Sequence, residues 1–180
     1  MDDFSHPGIL DIDPDDVIAS EVIAHADPAN DRSIARRVAL QALYEIDSAD
    51  HDVGEVLNTL QAHHHLNSKT SKYVQQLVRG VIENHRRLDT VIRHFAPEFP
   101  LSQVAIVDRN ILRIAIFEFT ITKRAPLKVA IDEAVELAKL FGADGASRFV
   151  NGVLGAAAAN LDELNSMLGI IQDESDENTI

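Results

Sequence analysis

Val107 to Thr122 reads VDRNILRIAIFEFTIT, and this run decides the fold. Read as a helix, it carries apolar side chains on nearly every face: Ile111, Leu112, Ile114, Ala115, Ile116, Phe117, Phe119 and Ile121. A helix that is hydrophobic all round must be covered by neighbours on several sides. Its uninterrupted apolar centre, Ile114 to Phe117, is far too short for a membrane span, which needs about 20 residues. Asp108 falls in the first turn, where a carboxylate meets free N–H groups and the positive end of the helix dipole. Arg113 and Glu118 are the only charges further in. Lys123, Arg124 and then Pro126 mark the end. The run predicts the central helix of a bundle.

Working outward, each flank shows the helical period. Ser33 is a plausible N-cap with Asp31 beside it, and Ile34, Val38, Ala42, Leu43 and Ile46 form one apolar stripe. Asp47 to Asp52 reads as a turn. A short helix follows over Val53 to His63, with Val56, Leu57 and Leu60 inward. Asn67 and Ser68 mark a loop before a long helix, Lys69 to Phe95, whose stripe runs from Val74 to Phe95. Gly80 in its middle costs about 1 kcal/mol relative to Ala, so it predicts a close helix–helix approach. His94 to Leu101, with Pro97 and Pro100, reads as a linker. Pro126 begins a helix that Gly142 ends, and a last helix is expected over Ser147 to Leu168. No stretch alternates with the period of a strand. The fold class is all-α. Residues 32–96 and 97–168 are expected to form two small helical bundles, flanked by disordered acidic segments at 1–31 and 169–180.

The formal net charge is −13, but its distribution is uneven. Residues 1–30 hold eight acids and residues 161–180 hold six, with no Lys or Arg in either segment. That leaves 15 acids against all 16 bases between them, so the body is close to neutral. An acidic total therefore does not exclude a nucleic-acid partner. The N-terminal segment has the composition of a disordered tail; a short acidic helix over Asp15 to His25 covering a basic surface is the sharper alternative. There is no cysteine, hence no disulfide and no thiolate metal site. The N-terminus MDDFSHPGIL lacks the basic and apolar regions of a signal peptide. A cytoplasmic protein is expected.

Candidate chemistry is sparse. His63, His64 and His65 invite a metal reading, but consecutive helical residues point about 100° apart and no second cluster supplies partners. Asp132, Glu133 and Glu136 stand three and four residues apart and read as a solvated or partner-facing surface. No Ser–His–Asp set, phosphate loop or dinucleotide glycine pattern occurs. No enzymatic activity, cofactor or metal is expected. The basic groups are more informative. Arg32, Arg36 and Arg37 cluster at the start of the first helix, and Arg36 and Arg37 with Gln41 would offer guanidinium forks and an amide on an exposed face. Phe149 is rotated about 100° from a stripe that starts at Val150, beside Arg148 and near Asn151. That grouping suits base stacking, and packing against another helix stays open.

ARRVALQALYEID (35–47), LVRGVIENHRRLDTVI (77–92), VDRNILRIAIFEF (107–119), KVAIDEAVELAKLFG (128–142) and RFVNGVLG (148–155) together resemble the NusB family of bacterial transcription antitermination factors. The resemblance covers about residues 32 to 165. It implies two perpendicular helical bundles and a heterodimer with NusE, a small-subunit ribosomal protein. It further implies binding of single-stranded boxA RNA in ribosomal RNA leader transcripts, support of an antitermination complex on RNA polymerase, and a link to ribosomal RNA maturation. By position, Arg32, Arg36, Arg37 and Gln41 fall on the family's arginine-rich RNA region, and Arg148, Phe149 and Asn151 on its second RNA patch. Tyr44, Glu83 and Glu118 fall towards the NusE side. The arginine-rich region is thinner here than in many relatives, and residues 1–30 lie outside the family pattern. A helical module that keeps the ribosomal-protein partner without specific RNA binding is the alternative, and a homodimer through exposed faces stays open.

Overall fold

The computed structural model describes residues 31–170; the expectations placed on residues 1–30 and 171–180 lie outside them. Seven α-helices occur among the described residues, and no strand. They are α1 (Asp31–Ala49), α2 (Val53–His63), α3 (Ser68–Phe95), α4 (Ile106–Ile116), α5 (Leu127–Phe141), α6 (Ala146–Ala159) and α7 (Leu161–Met167). A short 3₁₀ turn, Leu101–Gln103, precedes α4. Among the described residues no helix is long and apolar enough to cross a membrane.

The decisive run is the centre of the structure. Eight successive residues from Ile111 to Glu118 are buried, as an all-round apolar helix requires. Against it pack α1, α3, α5 and α6. The run is not one regular α-helix, however. After Ile116 it widens into a π-helical segment, Phe117–Thr122, that stops on Lys123 at φ 50°. Two threonines explain part of this. Thr120 Oγ1 donates to the Ile116 carbonyl at 2.5 Å and Thr122 Oγ1 to the Glu118 carbonyl at 3.1 Å, giving the backbone alternative partners that bend and loosen a helix. The segment buries Phe117, Glu118 and Thr120 together. π turns of this kind occur often at functional sites.

Helix ends follow local chemistry. Asp52 accepts from the N–H groups of Gly54 and Glu55 to cap α2, and Asn67 accepts from that of Thr70 to cap α3. One expected cap is not a cap. Ser33 already lies inside α1 and donates instead to both carboxylate oxygens of Glu133 at 2.8 Å. Asp108 lies in the first turn of α4 but makes no capping bond; its Oδ1 is buried without a hydrogen-bond partner. The single last helix expected over Ser147 to Leu168 is interrupted at Asn160. There the backbone N–H closes a tighter turn on the Ala157 carbonyl and the side-chain amide donates to the Ala156 carbonyl, using up the groups that would continue α6. Leu161 is exposed as a consequence, while Leu164 remains in the core.

Gly80 meets its expectation. A Cβ placed there would lie 2.0 Å from Cζ of Phe117, so only glycine lets the ring of the π segment sit on α3.

Candidate nucleic-acid interface

The base of the site is a buried ionic cluster. Arg36, on the inner side of α1, is only 2% exposed. Its Nε donates to Oε2 of Glu118 at 2.8 Å and its Nη2 to Oε1 at 2.9 Å, a bidentate fork. Nη1 lies 3.2 Å from Oε2 of Glu133, close enough for an ion pair but not aligned as a hydrogen bond. The hydroxyl of Tyr73 on α3 donates to Glu118, and Ser33 holds Glu133. The cluster thus ties α1 to α3, to the π segment and to α5. Burial alone would lower the basicity of Arg36, but the bond and charge of Glu118 outweigh it and hold the guanidinium protonated. Burial, then the bond to Glu118, pushes the Tyr73 hydroxyl up to about 12.

This corrects two expectations. Arg36 does not belong to an exposed face: both edges of its guanidinium are turned to carboxylates inside the fold. Glu118, 1% exposed, is likewise spent within the protein and presents nothing to a partner. Glu133 joins them, whereas its neighbours Asp132 and Glu136 form surface pairs with Lys128 and Lys139, as expected of a solvated face. Arg113, the other charge of the central run, is also internal. It forks onto Asp89 at 2.7 and 2.9 Å and reaches Asp47 at 2.9 Å.

Above the buried cluster the outer face of α1 remains accessible. Arg32 is exposed; its guanidinium lies 5.6 Å from the centre of the Tyr73 ring and Nη1 donates to the Arg124 carbonyl. Arg37 is half-buried, and its Nη1 is itself buried without a hydrogen-bond partner, so only the rest of its guanidinium edge faces outward. Gln41 Oε1 accepts from Nε2 of His64 at 3.1 Å. Burial, then the charge of His63, lowers the basicity of His64 and favours the neutral ring that serves as this donor. The histidine run therefore contributes one positioning contact; no group of three metal-binding side chains occurs among the described residues. One turn on, Tyr44 is 47% exposed. Cation, amide and aromatic thus follow one another on one face of one helix.

The second group lies on α6. Arg148 and Asn151 are exposed, and Phe149 is half-buried. Phe149 meets Phe99 edge to face, with ring centres 5.1 Å apart. Sequence reasoning missed Phe99, which is 53% exposed in the loop after α3. A lone aromatic between Glu98 and Pro100 was the available signal. The two rings, Arg148 and Asp108 line a cleft of about 760 Å³. Burial raises the Asp108 carboxyl above the usual carboxylate range. Glu83, on α3, is exposed and separate from both groups. The arrangement offers donors to phosphates and faces for stacking bases; it aligns no nucleophile with a base.

Comparison with known proteins shows the family. The NusB family model matches residues 33–159. The transcription antitermination protein NusB of Chloroflexus aggregans is 43% identical over 129 residues, 71% of this chain and 86% of that protein. The Bacillus subtilis protein of the same name is 41% identical over 133 residues, 73% of this chain and 98% of that one. Among solved structures, T. maritima NusB superposes with a TM-score of 0.66 at 31% identity, covering 71% of this chain and 90% of its own. A crystal structure of antitermination factors NusB and NusE in complex with dsRNA gives 0.67 at 25% identity, covering 72% of this chain and 97% of its own. On the family match and on this extent of identity, the chain belongs to the NusB family.

Proposed function

We propose that this protein is a transcription antitermination factor that binds single-stranded boxA RNA of ribosomal RNA leader transcripts jointly with NusE. In that role it supports an antitermination complex on RNA polymerase and ribosomal RNA maturation, in the cytoplasm and by binding alone. The observation that carries the reading is the outer face of α1. Arg37, Gln41 and Tyr44 stand on a single helix that the buried Arg36–Glu118–Glu133 cluster fixes to the core, in a chain whose relatives are antitermination proteins. A guanidinium pairs with phosphate and an amide with a base edge, while Tyr44 beside them is offered to the protein partner. Arg148, Phe149 and Asn151 supply the second contact region. Tyr44 and Glu83 are assigned to the NusE side.

One observation favours a second reading. With Arg36 buried, the arginine-rich region has one cation fewer to give to RNA, and each lost phosphate contact weakens binding and flattens its salt dependence. A module that retains the ribosomal-protein partner without RNA selectivity would fit that. Titration of labelled boxA-like and scrambled single strands, with and without NusE and at two salt concentrations, separates the two. Selective binding that tightens with NusE supports the antitermination factor. Association with NusE and equal affinity for both strands supports the module.

A further inference from the structure

Helix α3 carries an ordered row of cations that the contacts above leave unused. It holds six of the chain's 16 bases: Lys69, Lys72, Arg79, Arg86, Arg87 and Arg93. Four of these, Lys72, Arg79, Arg86 and Arg93, recur every seventh residue, and all four are exposed. A seven-residue step turns a helix by almost two full turns and advances it about 10.5 Å, so the four form a nearly straight row about 31 Å long. None of the four enters an ion pair among the described residues: Asp89 is taken by Arg113, and Glu83 is the only acid on the face between them. Such an unneutralised row is unexpected on a chain with a net charge of −13.

We propose that the outer face of α3 is a track for the phosphate backbone of RNA, which continues along Lys72, Arg79, Arg86 and Arg93 after leaving the α1 face. The inference rests on the RNA-binding reading above. Three observations favour a nucleic-acid backbone over an acidic protein segment. First, the face has no exposed large apolar residue to anchor a peptide; those among the described residues lie at Tyr44, Phe99, Val129, Leu140 and Leu161. A polyphosphate needs none, because it presents a charge at every unit. Second, the row begins beside the proposed first site. Tyr73, adjacent to Lys72, lies under Arg32, and Asn67 at the start of α3 donates to Asp31 at 3.3 Å. Third, Lys72 and Arg79 border a groove of about 490 Å³ also lined by Gln75, Gln76, Asn84 and, at one acidic point, Glu83. The half-buried amides there can meet a base edge while the cations hold its phosphates.

The test compares strands of two lengths on the full chain in the presence of NusE. A boxA-like strand of about 12 nucleotides fills the first site, and one of about 30 nucleotides with a random extension also reaches α3; each phosphate neutralised on a single strand adds about 0.7 to the slope of log affinity against log salt. The wild-type chain is expected to bind the long strand more tightly and with a steeper slope. In the variant K72Q/R79Q/R86Q/R93Q the short strand should keep its affinity while the slope for the long strand falls by as much as about 3; R79Q/R86Q alone should remove about half of that. Equal binding of both lengths by the wild type, with the short strand still selected over a scrambled one, overturns the track and leaves the first site intact. Failure of the wild type to bind either strand overturns both. Unchanged or tighter binding of the long strand by the fourfold variant, as expected if the row instead holds the chain's own acidic segments, also overturns the track.

Discussion

Replacing Arg36 by Met separates a buried structural arginine from one that serves RNA. The substitution keeps an unbranched side chain of similar reach and removes the charge. It leaves the Glu118 carboxylate, 1% exposed, with the Tyr73 hydroxyl as its remaining donor. Glu133 loses less, because it keeps Ser33 and is 24% exposed. Deleting one partner of a buried pair costs about 3–5 kcal/mol, mostly the penalty of the stranded charge. At about 2–4 °C per kcal/mol for a protein of this size, the thermal midpoint should fall by roughly 6–20 °C. The drop should persist in high salt, since buried pairs are weakly screened. Arg36→Lys should recover little, because an ammonium cannot make the bidentate fork. The triple variant Arg36→Met, Glu118→Leu, Tyr73→Phe should recover most of the loss, since replacing a whole buried ionic group with apolar side chains is often close to neutral. Calorimetry on the four proteins reads these effects directly. A thermal midpoint within about 2 °C of wild type for Arg36→Met, a shift worth under about 1 kcal/mol, together with weakened RNA binding, would refute the argument; the guanidinium would then be serving RNA.

Further outcomes follow from other contacts. Gly80→Ala gains about 1 kcal/mol of helix propensity but drives a methyl to within 2.0 Å of the buried Phe117 ring. Overpacking of that kind costs about 1–3 kcal/mol, so urea unfolding should show net destabilisation, relieved by Phe117→Leu; a more stable Gly80→Ala would contradict the close approach. Tyr73 has its folded pKa raised from 10.0 to about 12, so its contribution is complete below pH 10 and is lost as pH rises towards 12. Tyr73→Phe should therefore lose less stability than wild type over that alkaline interval in a pH series of thermal melts. Asp108 has a raised folded pKa caused by burial. Its ionisation therefore costs stability above the ordinary value of 3.8, and the cost is absent below it. Asp108→Asn should raise the midpoint at neutral pH more than at pH 3, and an equal change at both pH values would rule the buried charge out.

Much of the architecture was legible because periodicity and capping are local. The stripe from Val74 to Ile92 is buried as read, Gly142 caps the end of α5, and Gly80 stands where a ring crosses. Where reading failed, a second partner competed with the local signal. Ser33 is a good cap by type, but Glu133, a hundred residues away, offers its hydroxyl a charged acceptor. Asn160 sits inside an apolar period, yet its amide and backbone end the helix.

The chain's own order of residues was enough to establish an all-helical body around Val107–Thr122, because an apolar helix surface can be satisfied only by other apolar surfaces. It was also enough to gather Arg32, Arg36, Arg37 and Gln41 at the start of one helix. Which of those arginines faces water was settled only by the tertiary packing. The side chains at 36 and 37 differ by one residue and about 100° of rotation. Glu118 and Glu133 come to Arg36 from 82 and 97 positions away, and a charged pair inside the fold is favourable only when both ends arrive together.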